Sequence, residues 1–147
     1  MSVEEIEKAF PSLRIRGYSI TSQATLEYNC IAWAVEDTEA WWWPDTQYLY
    51  YWPPEIPRTE TLEAFISAYK IFGYAICNNT MYEEGFEKIA VYVDPHGKPT
   101  HAARQLSSGN WTSKLGSLED IEHITLDDLT GFSYGIVGVI MKRPRKE

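Results

Sequence analysis

Two side chains in this sequence have the types and settings that nucleophilic chemistry needs, Cys30 and His101. Cys30 follows Asn29, and CIAWAVED after it reads as a helix that Asn29 caps. A thiol in the first helical turn lies near the positive end of the helix dipole, which favours the thiolate. Such a nucleophile still needs a base. His101 lies early in THAARQ, where alternation sends His101, Ala103 and Gln105 to one face and Ala102 and Arg104 to the other. An inward His101 with Gln105 two residues on is a candidate base with its orienting partner. The competing reading keeps both residues structural: Cys30 as a small core residue among Tyr28, Ile31, Ala32 and Trp33, and His101 as a strand histidine satisfied by backbone. His96 falls in a turn, and His123 falls beside Glu122 in a segment read as helical.

Other chemistries find little support. The sequence has no C-x-x-C, H-E-x-x-H, calcium-loop, phosphate-loop or G-x-S-x-G pattern. No metal and no cofactor is expected. The carboxylates of EDTEA and LEDIEH read as solvated faces. A net charge of −8 disfavours nucleic acid as a partner, since a nucleic-acid surface is basic. The only basic cluster is KRPRKE over residues 142–147, read as a solvated tail. The opening MSVEEIEKAF lacks a basic segment followed by an apolar run, and no apolar stretch approaches the roughly 20 residues of a membrane span. The expectation is a cytoplasmic protein without a membrane role, whose Cys30 and Cys77 are free thiols.

The elements that must position these residues come next. A length of 147 residues suits one domain, and 44% hydrophobic with 23% charged residues is ordinary for a globular chain. Ser2 with Glu5 reads as a capping box for a short helix ended by Pro11, followed by a connector, so that residues 1–27 form an N-terminal helix and linker. WWWPDTQYLYYWPPEIP, residues 41–57, reads as a long ordered loop, either nailed down by buried rings or walling a cleft with Trp41, Trp42 and Trp43. Trp33 and Trp111 are further candidates for that wall. A helix opened by Thr59 follows, with Leu62, Phe65, Ile66, Tyr69 and Phe72 as its inward stripe and Gly73 as its stop. The period then switches to two. YAIC, EKIAVYVD, PTHAARQL, WTSKL and YGIVGVIMKR read as strands, with SLEDIEHITLDDL as helical pieces. The predicted class is α+β: N-terminal helices packed on a C-terminal antiparallel sheet in a single domain.

A cysteine at a helix start followed by an antiparallel sheet carrying a histidine resembles the papain-like fold of small bacterial amidases of the NlpC and CHAP type. YNCIAWA resembles their nucleophile element, and EKIAVYVDPHGKPTHAA their strand, turn and strand. Aligned so, Lys88 stands at the family's usual histidine, and His101 at its third, orienting position. The resemblance therefore implies either that His101 has become the base or that the chemistry is lost. NCIAWA, THAARQL, WTSKLG and EDIEH, from about Tyr28 to Pro144, also resemble an uncharacterised family of bacterial domains of unknown function, in which Ser113 and Lys114 look like part of the same site. A lysine beside a cysteine favours the thiolate.

The function expected on these grounds is a cysteine hydrolase, amidase or acyl-transfer enzyme acting on a peptide or protein amide. Cys30 would attack, His101 would relay the proton, and the Cys30 N–H with the Asn29 side chain would hold the oxyanion. Two alternatives stand beside it: a catalytically inactive binding or regulatory module on the same fold, and an acidic immunity or antitoxin-like protein that covers a basic partner.

Overall fold

The computed structural model describes residues 3–145. Ser2, the expected cap, lies outside them. Helix α1 (Val3–Ala9) buries Ile6. Pro11 does not simply end that helix. It opens a second one, α2 (Pro11–Arg16), where a proline in the first turn forfeits no hydrogen bond. The segment expected to be a connector continues as strand β1 (Tyr18–Ser22).

Helix α3 (Cys30–Trp33) is only one turn long, shorter than CIAWAVED suggests. Helix α4 (Leu62–Ile71) starts at Thr61 rather than Thr59, because the Thr61 hydroxyl accepts the Ala64 N–H. Its inward stripe is as expected, with Phe65 and Tyr69 buried and Leu62, Ile66 and Phe72 packed at the margin.

The remaining strands are β2 (Ala75–Cys77), β3 (Phe86–Val93), β4 (Pro99–Gln105), β5 (Trp111–Lys114), β6 (Asp120–His123) and β7 (Ile136–Pro144). Together with β1 they form a seven-stranded antiparallel sheet in the order β1-β6-β5-β4-β3-β7-β2. β3 to β5 are the expected meander, which β6 extends, whereas β7 returns to pair with β3. SLEDIEHITLDDL is not helical in its first half. Asp120–His123 pairs with β5 on one side and β1 on the other, and only Leu126–Leu129 turns, as a single 3₁₀ turn at whose start the Thr125 N–H donates to the Asp128 carboxylate. Pairing on both edges overrides a local pattern that suits either state.

Alternation along the strands divides the interior in two. Ile89, Val91, Ala102 and Met141 face α3, α4 and the aromatic loop. Ala90, Tyr92, Ala103, Trp111 and Ile121 face α1, α2 and the 3₁₀ turn. The aromatic loop has no regular element beyond a bridge between Trp42 and Tyr51. Trp42 and Trp52 plunge into the first core, so buried rings do anchor it.

The basic cluster is not a solvated tail as far as it is described. Lys142 and Arg143 belong to β7, and Arg143 is buried against Glu87. Lys146 lies outside the described residues. Among those described, no helix is long and apolar enough to cross a membrane.

Candidate functional site around Cys30 and His101

The start of α3 is built by Asn29. Its backbone is extended, its side-chain oxygen accepts the N–H of Ala32 at 3.2 Å and of Trp42 at 3.1 Å, and its amide donates to the Trp42 carbonyl at 2.7 Å. Asn29 thus caps the helix and ties the aromatic loop to it. One of its two amide N–H donors is committed to the Trp42 carbonyl.

Cys30 follows the cap and is 7% exposed. Burial pushes its thiol up to about 11. The N–H of Ala102, those of Ile31 and of Cys30 itself, and the Lys114 ammonium all work in the opposite direction without overcoming it. A one-turn helix carries little dipole, so those individual N–H groups are what remains of the expected helix-start effect. Desolvation wins at rest.

Lys114 shares this face of the sheet with Cys30. Its ammonium donates to the carbonyls of Thr25, Gly116 and Leu118 at 2.6–2.9 Å and lies 5.4 Å from the centre of the Tyr28 ring. Burial lowers its pKa, against the carboxylates of Asp120 and Glu119 and the Cys30 thiol. Tyr28 donates to Asp120 at 2.5 Å. Trp33 stacks under the Arg104 guanidinium and donates to the Thr112 hydroxyl at 3.0 Å, so it walls the Cys30 side. Of the other expected wall residues, Trp42 belongs to the same core as Cys30 and Trp43 packs against that core. Trp42 packs on Phe72, Trp43 on Phe65 and Trp41 on Tyr50, while Trp111 lies on the opposite face.

His101 is fully buried on that opposite face, across from Tyr92 in the β3–β4 ladder. Its ring lies flat on Tyr134 and edge-on to Tyr92. Neither ring nitrogen has a hydrogen-bond partner. Burial holds the imidazole well below its ordinary pKa, with neighbouring His123 adding to the effect. β5 pairs with β4 at Arg104–Thr112 and Gln105–Trp111, and the N–H of Ala102, one residue after His101, turns to the Cys30 thiol. Tyr134, stacked on His101, also feels the charge of a Cys30 thiolate.

The supporting residues expected from sequence go elsewhere. Gln105 donates to the carbonyls of Thr80 and Gly109 and does not orient His101. Ser113 hydrogen-bonds His123 at 2.8 Å, and the other His123 nitrogen meets the Thr125 carbonyl. Lys88 pairs with Glu83 at 2.7 Å and bonds Asn79. Of the group, Lys114 alone joins Cys30. Sequence reasoning passed over Tyr28, Asp120 and Tyr134. The position of Tyr28 two residues before the cysteine, and of Tyr134 between Gly131 and Gly135, was the available signal.

Fold and site together define a mixed α/β domain in which helix α3 carries a buried cysteine and the seven-stranded antiparallel sheet carries a buried histidine. The family model of a domain of unknown function, DUF7689, matches residues 19–142, and the chain belongs to that family. No curated protein and no solved structure matches the chain.

Proposed function

We propose that this domain is a cysteine-dependent amide hydrolase or acyl-transfer enzyme, held closed at rest, with Cys30 as nucleophile and His101 as base. The observation that carries the reading is a fully buried His101 with two unpartnered ring nitrogens, next in the chain to Ala102, whose backbone N–H meets the Cys30 thiol. A buried polar group without a partner costs about 1–3 kcal/mol. In this reading a histidine kept so is accounted for by a partner it meets during turnover. The NlpC- and CHAP-like order of helix-start cysteine, strand, turn and strand agrees with this, with His101 in place of the family's usual histidine, where this chain has Lys88.

In the proposed reaction His101 takes the thiol proton, the sulfur attacks the amide carbon, and the N–H groups of Cys30 and Ile31 steady the oxyanion. Cleavage of the C–N bond passes the proton from His101 to the departing amine and leaves a thioester. Water, or an acceptor amine in the transfer reaction, then attacks the thioester and frees the thiol. Lys114 favours the thiolate on the Cys30 face. The substrate is a peptide or protein amide.

A second reading, a binding module without turnover, rests on the thiol's rise to about 11 and the shielding of both residues. Iodoacetamide alkylation of Cys30 against pH, in wild type and His101→Ala, separates the two. The hydrolase reading expects an apparent thiol pKa below the free value of about 8.5 in the reactive form, rising on the substitution. Reaction only at strongly alkaline pH, unchanged in His101→Ala, leaves the binding module.

A further inference from the structure

The aromatic loop carries a second feature, independent of the cysteine site. Its ends are clasped by the bridge between Trp42 and Tyr51, with the Trp43 N–H on the Tyr51 carbonyl and the Tyr51 N–H on that of Trp41, each at 3.0 Å. Within the clasp the Asp45 carboxylate accepts the N–H groups of Leu49 at 2.8 Å and Tyr50 at 3.1 Å. Arg58 closes the turn from the other side, donating to the Asp45 carboxylate, the Asp45 carbonyl and the Tyr50 carbonyl.

At the tip Tyr48 adopts a φ of +58°, a left-handed conformation that bulky side chains rarely take. Its ring lies over the Arg58 guanidinium, 4.2 Å from its centre. The turn presents Tyr48 at 76% exposure and Leu49 at 70%, with Tyr50 and Tyr51 also exposed. A cavity of about 560 Å³ lies on one side of this ridge, against Pro54 and Glu55, and one of about 590 Å³ on the other, against Leu49 and Glu60. Rings held outward by a hydrogen-bonded frame lose little entropy on binding, and backbone strain of this kind collects at functional surfaces.

The charge of the same segment selects the partner. Residues 36–63 carry seven acidic side chains and one basic, so this stretch holds −6 of the chain's −8. The one cation, Arg58, is committed to Asp45. A surface of tyrosine faces rimmed by exposed carboxylates at Glu55 and Glu60 complements guanidinium and ammonium groups, which stack on the rings and pair with the rim. We propose that the loop from Trp41 to Arg58 is a docking surface for an arginine- or lysine-rich segment of a partner protein.

The test is a fluorescence-anisotropy titration of the full chain with a labelled nona-arginine peptide, in wild type, Tyr48→Ala, Leu49→Ala and the distant control Ile15→Ala, a site 85% exposed on α2. None of these substitutions changes the net charge. Saturable binding in wild type and the control, weakened tenfold or more in both loop variants with unchanged circular dichroism, is the expected result. Equal binding by all four proteins would reduce the effect to general charge attraction and overturn the proposal, as would no saturable binding. Sedimentation of wild type as a dimer that Tyr48→Ala dissociates and the peptide does not would make the ridge a self-interface and also overturn it.

Discussion

His101 and Tyr134 lie face to face, their ring centroids 4.1 Å apart and their planes within 7° of parallel. Tyr134 comes from a short turn closed by reciprocal hydrogen bonds between Gly131 and Gly135 at 2.8–2.9 Å. Phe10 of the N-terminal helical pair packs against the Tyr134 ring, with centroids 5.0 Å apart. On the same turn Phe132 is fully exposed. A surface turn therefore seals the imidazole, and shielding that rests on one turn is easier to relieve than burial in a core.

Tyr134→Ala should accordingly uncover His101. Its imidazole pKa, read from ring-proton shifts against pH, should climb toward the ordinary value of about 6.5. Alkylation of Cys30 should become faster at the same time, while Tyr134→Phe, which keeps the stack, should leave both unchanged. Gly135→Ala should act like Tyr134→Ala without touching the ring. The added Cβ would fall 1.9 Å from the Val93 carbonyl oxygen, at a φ of +80°. An imidazole that titrates identically in all these proteins would show that the turn does not seal it.

The pH dependence of stability follows from the same burial. His101 and His123 are both held below their ordinary pKa, first by desolvation. Between about pH 6.5 and the depressed folded values, the unfolded chain binds protons that the folded chain refuses. Their contribution is complete above about pH 6.5 and is lost as the pH falls. Each excluded proton is worth about 1.4 kcal/mol per pH unit. Urea midpoints between pH 4.5 and 7.5 should drop with acidity, and His101→Phe should flatten the drop by up to one proton's worth. On the alkaline side Cys30 acts in the reverse sense. Its neutral thiol is favoured in the folded state, so stability falls as pH rises from about 8.5 toward 11. Equal acid slopes in wild type and His101→Phe would count against a neutral, buried His101.

How much of this was legible in the sequence depends on the range of the forces involved. Asn29, the start of α3 and the β3–β4–β5 meander were readable because caps, periods and turns act within a few residues. β6 was not, because LEDIEH suits a helix locally and becomes a strand only between β5 and β1, partners that no local pattern reveals. The two halves of the site were visible as types, a helix-start cysteine and a strand histidine. The contact of the Cys30 thiol with the Ala102 N–H was not, since it depends on where β5 leaves β4. The thiol's pKa was misjudged for a related reason: helix-start N–H groups and a lysine are local features, whereas the burial that outweighs them comes from the whole fold. The basic tail failed similarly, because its partner Glu87 lies 56 residues away along the chain.

That last pair gives a test of the fold's far end. Arg143 donates through Nε to Glu87 and through Nη1 to the Phe72 carbonyl at 2.8 Å, and its guanidinium lies over the Tyr74 ring at 4.5 Å. Both side chains are nearly buried. Removing one charge of such a pair leaves the other desolvated and unpaired, at a cost of about 3–5 kcal/mol. Arg143→Leu should lie toward the lower end, since Arg145 stands 3.7 Å from the second Glu87 oxygen and retains part of the compensation. Glu87→Gln in the Arg143→Leu background should recover much of the loss by removing the stranded charge, even though it restores no ion pair. Urea denaturation of the two single variants and the double variant reads the coupling directly. Strict additivity of the two substitutions would show that the pair contributes nothing beyond its separate contacts, and that β7 is held to β3 by its ladder and apolar side chains alone.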